Sequence, residues 1–306
     1  MLAVLCPGQG AQTPGMLEPW LELPPVAAHL AALSEATNVD LVAHGTTSQA
    51  DTIRDTAIAQ PLLVASALVT ARALLGDAVP ATAVIAGHSV GEFGAAALAG
   101  VLTDAEALSL VTTRGAAMAA AAAASEPTSM AAVLGGEPAD VAAALAALGL
   151  TAANVNGGGQ VVAAGSKAAI AGLVSNPPER ARVIELQVAG AFHTHYMAPA
   201  VDALAAAASG ISPNDPTAIL LSNADGARVA SGREALAGLV RQVANPVRWD
   251  LCMERMMDLG VTGIIEVAPG GVLTGLAKRV MKGVPAVALK TPDDLAAARE
   301  LMEEHA

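Results

Sequence analysis

Gly87-His88-Ser89-Val90-Gly91 has the G-x-S-x-G spacing of a nucleophile elbow. A serine hydroxyl attacks a carbonyl only when a base takes its proton and donors receive the oxyanion that forms. The apolar run 83–86 before it reads as a strand, and 91–102 after it reads as a helix. A serine forced into that sharp turn projects its hydroxyl, and the flanking glycines remove side chains that would collide across the turn. The helix aims its free N–H groups and positive dipole end at any oxyanion formed there. Glu92 sits in that first turn and reads as a cap-region acid.

The base must come from six histidines: His29, His44, His88, His193, His195 and His305. His88 adjoins Ser89, but neighbouring side chains diverge in such a turn, and His305 lies near a chain end, where fraying concentrates. His193 and His195 follow a strand at 182–186, among small and apolar residues, and His193 is the first choice. Besides Glu92, the acids between Ser89 and His193 are Asp104, Glu106, Glu126, Glu137, Asp140, Glu179 and Glu185, and none of these is well placed to orient an imidazole. More than 100 residues follow His193, whereas an α/β-hydrolase carries its histidine near the C-terminus. A neutral orienter fits better. Arg114 lies alone among small apolar residues, where an unpaired cation is costly to bury. Two readings are open: a pair with an internal acid, preferred when Arg114 is read alone, or a planar fork that grips a substrate carboxylate.

The elements that must position these residues alternate between short apolar runs and Ala/Leu-rich helical stretches, the pattern of an α/β fold. Strands are expected at 2–6, 83–86 and 263–267, with helices at 60–75, 91–102 and 272–280. The middle reads β-α-β-β-α-β, with strands at 130–134, 151–156, 160–164 and 182–186 and helices at 138–148 and 167–174. That string is the ferredoxin-like split pattern. The expected organisation is a core of 1–125 and 188–306 interrupted by a subdomain of 126–187, entered through Ser125-Glu126-Pro127-Thr128.

Composition narrows the partners. The chain has 306 residues, 54% hydrophobic, with 16 Lys and Arg against 28 Asp and Glu, a net charge of −12. Such a chain buries a substantial core and lacks the basic, aromatic-studded surface that nucleic acid needs. Of the basic residues, only Arg54, Arg72 and Arg114 lie in the first 150 positions, and Lys278, Arg279 and Lys282 cluster late. That cluster suits an acidic or phosphorylated partner, or simply a solvated helix face. Cys6 and Cys252 read as small core hydrophobes in a reducing compartment. The start lacks a basic leader and cleavage site, and neither 56–71 nor 141–166 offers about 20 predominantly apolar residues that could cross a bilayer. The expectation is a cytoplasmic protein that binds no nucleic acid or membrane, holds no cofactor or metal, and acts as a monomer.

The motifs together resemble the malonyl-CoA:acyl carrier protein transacylase family. Pro7-Gly8-Gln9-Gly10-Ala11-Gln12 opens the likeness, and Gly87-His88-Ser89-Val90-Gly91-Glu92 and Arg114-Gly115 continue it. Asn154-Val155-Asn156, Phe192-His193, 242–249 and Glu266-Val267-Ala268-Pro269-Gly270 follow in order. The resemblance implies an α/β-hydrolase-like core with mostly parallel sheet and an inserted ferredoxin-like small domain. It implies an acyltransferase that moves malonyl from malonyl-CoA to the phosphopantetheine thiol of an acyl carrier protein by a ping-pong malonyl-serine route, in fatty-acid or polyketide synthesis. Ser89 would be the nucleophile and His193 the base, oriented by the backbone carbonyl of Gln242. The amides of Gln9 and Val90 would form the oxyanion hole, Arg114 would grip the malonyl carboxylate, and Asn156 would lie nearby. Phe192 before His193 resembles the malonyl-selective pattern. The run Gly157-Gly158-Gly159 departs from some relatives and bears on the stiffness of that loop. A serine esterase or thioesterase on the same elbow, and a non-catalytic carrier-docking scaffold, are the competing readings. Arg114 and the early His193 disfavour the first, and intact Ser89 and His193 disfavour the second.

Overall fold

The computed structural model describes residues 1–305. Ten strands form two sheets: β1 (Leu2–Cys6), β2 (Val84–Gly87), β3 (Thr128–Gly135), β4 (Thr151–Gly157), β5 (Gln160–Ser166), β6 (Ala181–Glu185), β7 (Ile219–Leu220), β8 (Val247–Arg248), β9 (Gly263–Glu266) and β10 (Ala286–Ala288). The first sheet has the order β10-β9-β1-β2-β7, every pair parallel. Its central strands β1, β2 and β9 are buried along their whole length, because helices cover both faces. Leu2, Val4 and Cys6 join one apolar cluster while Ala3 and Leu5 join another, as the period of two requires.

The helix Thr56–Leu75 runs through the larger cluster and packs on the Pro24–Thr37, Gly91–Leu98 and Asp104–Ala124 helices. It starts a turn earlier than the sequence suggests, because the Asp55 carboxylate caps it through the Ala57 N–H at 2.8 Å. Pro61 therefore lies inside the helix instead of in its first turn. This helix and Asp104–Ala124 have the length and apolar composition to cross a bilayer, which corrects the reading of 56–71. Most of the first is buried against protein, 78% of its apolar window, against 44% for the second. The helix after the elbow ends at Leu98, four residues early, with Gly100 at φ 79° beyond it.

The second sheet has the order β6-β3-β5-β4-β8. Pairs β6-β3, β3-β5 and β5-β4 are antiparallel, whereas β8 joins β4 in parallel from outside the 128–185 segment. Ala131, Val133 and Ala163 face the Pro138–Ala147 and Lys167–Ser175 helices, and Met130, Val162 and Ala164 face the main core. Gly157, Gly158 and Gly159 make the β4-β5 turn at φ 74°, 55° and 75°, a run that only glycine adopts without strain. The expected six-element order is thus present, and its inner apolar face forms one wall of a cleft.

Candidate active site

Strands β1 and β2 lie side by side, so the segments leaving their carboxyl ends meet. One brings Gln9 and the other His88-Ser89. Gly87 and Gly91 are required by close approach: a Cβ on Gly87 would lie 2.0 Å from the Gly91 carbonyl carbon, and one on Gly91 would lie 2.2 Å from the Cys6 oxygen. Ser89 at the apex has φ 53°, a left-handed conformation held by its surroundings.

The Ser89 Oγ is 2.7 Å from His193 Nε2. His193 Nδ1 lies 2.9 Å from the backbone oxygen of Gln242, which can only accept, so Nδ1 carries the hydrogen and Nε2 is free to take the serine proton. Burial, and then the Arg114 charge, hold the His193 pKa down at about 3, so the ring is neutral at physiological pH. Among the described residues, no protein acceptor takes the backbone N–H of Gln9 or Val90. Val90 caps the Gly91–Leu98 helix, while the Gln9 side chain reaches Thr56 Oγ1 at 3.4 Å.

Arg114 is 1% exposed on the Asp104–Ala124 helix. Its partners are two amide oxygens, Gln60 Oε1 at 2.7 Å and Gln242 Oε1 at 3.0 Å, and its Nε has no partner. The pairing with an internal acid is therefore corrected: no carboxylate lies within ion-pair distance among the described residues. Two neutral amides solvate the cation without neutralising it, and burial lowers its pKa only to about 10. The guanidinium lies 5.7 Å from the centre of the Phe93 ring. A cavity of about 410 Å³ is lined by Gln9, Ser89, Arg114, Asn156, Phe192 and His193, with Met130 and Val162 from the second sheet. A hydroxyl beside a neutral imidazole, with a guanidinium on the same wall that no carboxylate pairs directly, suits acyl transfer from a substrate ending in a carboxylate.

Residues 4–293 match the acyl transferase domain family. The chain belongs to that family. It is 52% identical over 297 residues to the malonyl CoA-acyl carrier protein transacylase of Mycobacterium tuberculosis H37Rv, covering 96% of this chain and 98% of that one. The crystal structure of MCAT from M. tuberculosis superposes with a TM-score of 0.94 at 51% identity, covering 97% and 99% of the two chains. A malonyl-transacylase solved in complex with its type II polyketide acyl-carrier protein superposes with a TM-score of 0.89 at 32% identity, covering 98% and 99%.

This acyl transferase domain also uses residues that its sequence alone did not single out. Asn223, fully buried after β7, accepts the Ser89 N–H at Oδ1 and donates from Nδ2 to the Gly87 oxygen, each at 2.8 Å. Gln60 holds Arg114 from the Thr56–Leu75 helix. Glu92, read as a cap-region acid, is instead 8% exposed and accepts from the Asn223 and Gln242 N–H groups. Its helix turns that side inward, towards β7. The one signal in the sequence was Glu92's place directly after the elbow. His88 turns away from the serine, 2.8 Å from Asn156 Oδ1 on β4, and burial lowers its pKa. That contact ties the elbow to the second sheet. Lys278 and Arg279 lie in the last turn of the Val272–Val280 helix, whose Val272, Leu273 and Leu276 line the cavity.

Proposed function

We propose that the chain transfers a malonyl group from malonyl-CoA to the phosphopantetheine thiol of an acyl carrier protein through a malonyl ester on Ser89. The carrying observation is the Ser89–His193–Gln242 relay opening into the cavity that holds Arg114. His193 Nε2 takes the proton as Ser89 Oγ attacks the thioester carbonyl, and the oxyanion is received by the amides of Gln9 and Val90. Collapse expels CoA as a thiolate, which recovers the proton from His193. The carrier thiol then gives its proton to His193 and attacks the ester, and Ser89 departs with that proton. Arg114 pairs with the malonyl carboxylate, while Phe192 and Asn156 close the wall beside it. An acetyl group would leave the buried guanidinium unpaired, which is the source of discrimination.

The same reading treats 1–125 and 188–306 as an α/β-hydrolase-like core and 126–187 as a ferredoxin-like subdomain. Support comes from the parallel sheet with the elbow after β2, and from the order β6-β3-β5-β4, fourth-first-third-second within the insertion. The two buried, unpaired thiols of Cys6 and Cys252 suit a reducing cytoplasm.

The test is incubation with radiolabelled malonyl-CoA, then with carrier protein. Wild type becomes labelled and passes the label on, whereas Ser89→Ala stays unlabelled. Equal labelling of the variant would overturn the assignment.

A further inference from the structure

Behind Ser89, the buried side chains of Glu92, Asn223 and Gln242 form a network of which the transfer steps above use only the Gln242 backbone oxygen. Glu92 Oε1 accepts the Asn223 backbone N–H at 2.6 Å, and Oε2 accepts Gln242 Nε2. Asn223 spans the elbow from Gly87 to Ser89. The Gln242 Nε2 also reaches the Ser89 oxygen at 3.0 Å, its Oε1 takes Arg114, and its backbone oxygen takes His193. Ser89, His193 and Arg114 are therefore each tied through Asn223 or Gln242 to a single carboxylate. Both oxygens of that carboxylate face N–H donors. Adding a proton to either oxygen sets donor against donor, so Gln242 or Asn223 must move.

We propose that ionised Glu92 is a positioning residue that holds Asn223 and Gln242 in register, and that its protonation, not that of His193, switches off acylation at acid pH. The proposal rests on the reading of Ser89 as the malonyl-bearing serine. Around Glu92, Arg114 from the Asp104–Ala124 helix favours the charged form, Asp225 after β7 opposes it, and the Cys252 thiol faces it from the Trp249–Asp258 helix. Burial is the largest effect: it outweighs the Asn223 and Gln242 N–H bonds and the Arg114 charge, all of which favour the ion, and pushes the Glu92 pKa up to about 7, above that of His193 at about 3. Falling pH therefore reaches the carboxylate first. Glu92 also lines a second cavity of about 80 Å³ with Asp225, Arg228, Glu234 and Arg241, which shares no residue with the substrate cavity. A proton can thus reach Glu92 while substrate fills the first cavity.

The experiment is single-turnover acylation of the full enzyme by malonyl-CoA from about pH 5 to about pH 9. The wild-type rate falls about tenfold per pH unit below an apparent pKa near that of Glu92. Added ethanol moves this limb to higher pH, because lower polarity disfavours ionising a neutral carboxyl but not a cationic imidazolium. Glu92→Gln slows acylation by about tenfold or more, leaves the KM for malonyl-CoA within about twofold and loses the limb. A limb that ethanol leaves in place, or that Glu92→Gln retains, overturns the proposal. Should the variant fail to fold, the ethanol test on wild type decides alone. Absence of malonyl-Ser89 in wild type at every pH defeats the transfer reading itself, and this proposal with it.

Discussion

Ser89 and His193 meet at 2.7 Å, and both occupy left-handed backbone, with φ of 53° and 60°. Each such residue stores roughly 1–3 kcal/mol of strain that its surroundings must hold. At Ser89 the restraint is visible in the Asn223 side chain bonded to its N–H and the Gln242 amide bonded to its oxygen.

Glycine adopts that backbone without a Cβ clash. Ser89→Gly and Ser89→Ala should both lose transfer by about a thousandfold or more. The glycine variant should be the more stable of the two by about 1 kcal/mol. Denaturant titration of the pair checks this, and equal midpoints would show that the backbone there is unstrained.

Arg114→Ala removes the cation whose Nε has no protein partner. Malonyl transfer should weaken by about 2–5 kcal/mol, with acetyl transfer relatively favoured. The ratio of kcat/KM for malonyl- and acetyl-CoA measures it, and an unchanged ratio rejects the carboxylate contact.

Buried His193 and Glu92 pull stability in opposite directions. The His193 pKa falls from 6.5 to about 3 on folding, so its contribution is present above pH 6.5 and is lost as pH falls towards 3. The Glu92 pKa rises from 4.5 to about 7, so its contribution is present below pH 4.5 and is lost as pH rises through 7. In His193→Gln only the second effect is left, so the stability of wild type relative to the variant should grow as pH rises from 3 to 6.5. Melting curves across that range test the sign, and a constant difference would contradict it.

Gly91→Ala places a methyl 2.2 Å from the Cys6 oxygen and 2.8 Å from that of Pro7. Backbone cannot yield as a flexible side chain would, so a loss of about 3 kcal/mol or more is expected. Unfolding free energy within about 0.5 kcal/mol of wild type would mean that β1 and the elbow are not in contact.

The His88–Asn156 contact joins the elbow to the second sheet. In a double-mutant cycle with alanine at both positions, transfer should show a coupling of about 1 kcal/mol. Additive losses would show that the two act separately.

Element types were legible wherever apolar periodicity was strong: the elbow's strand and helix, and the β-α-β-β-α-β order of the middle, can be read from residue spacing. Boundaries were less so. The start of the Thr56–Leu75 helix hung on the Asp55 cap, and the end of the Gly91–Leu98 helix came short of the apolar pattern. Local letters also marked Ser89, since G-x-S-x-G describes a turn made by consecutive residues.

The remaining relations are not local. Asn223 stands 134 residues after Ser89, and Gln242 stands 128 after Arg114. Nothing in the spacing of an asparagine or a glutamine says which buried donor it will satisfy. Sequence by itself determined the type of the strongly patterned segments, among them β1, β2, β9 and the six elements of the middle, because propensity and apolar period act over a few residues. Only the tertiary structure decided that Glu92 faces inward and that Arg114 meets amides instead of an acid. Those outcomes depend on which distant polar groups share one dry space once the sheets and helices have packed, where each must find a partner.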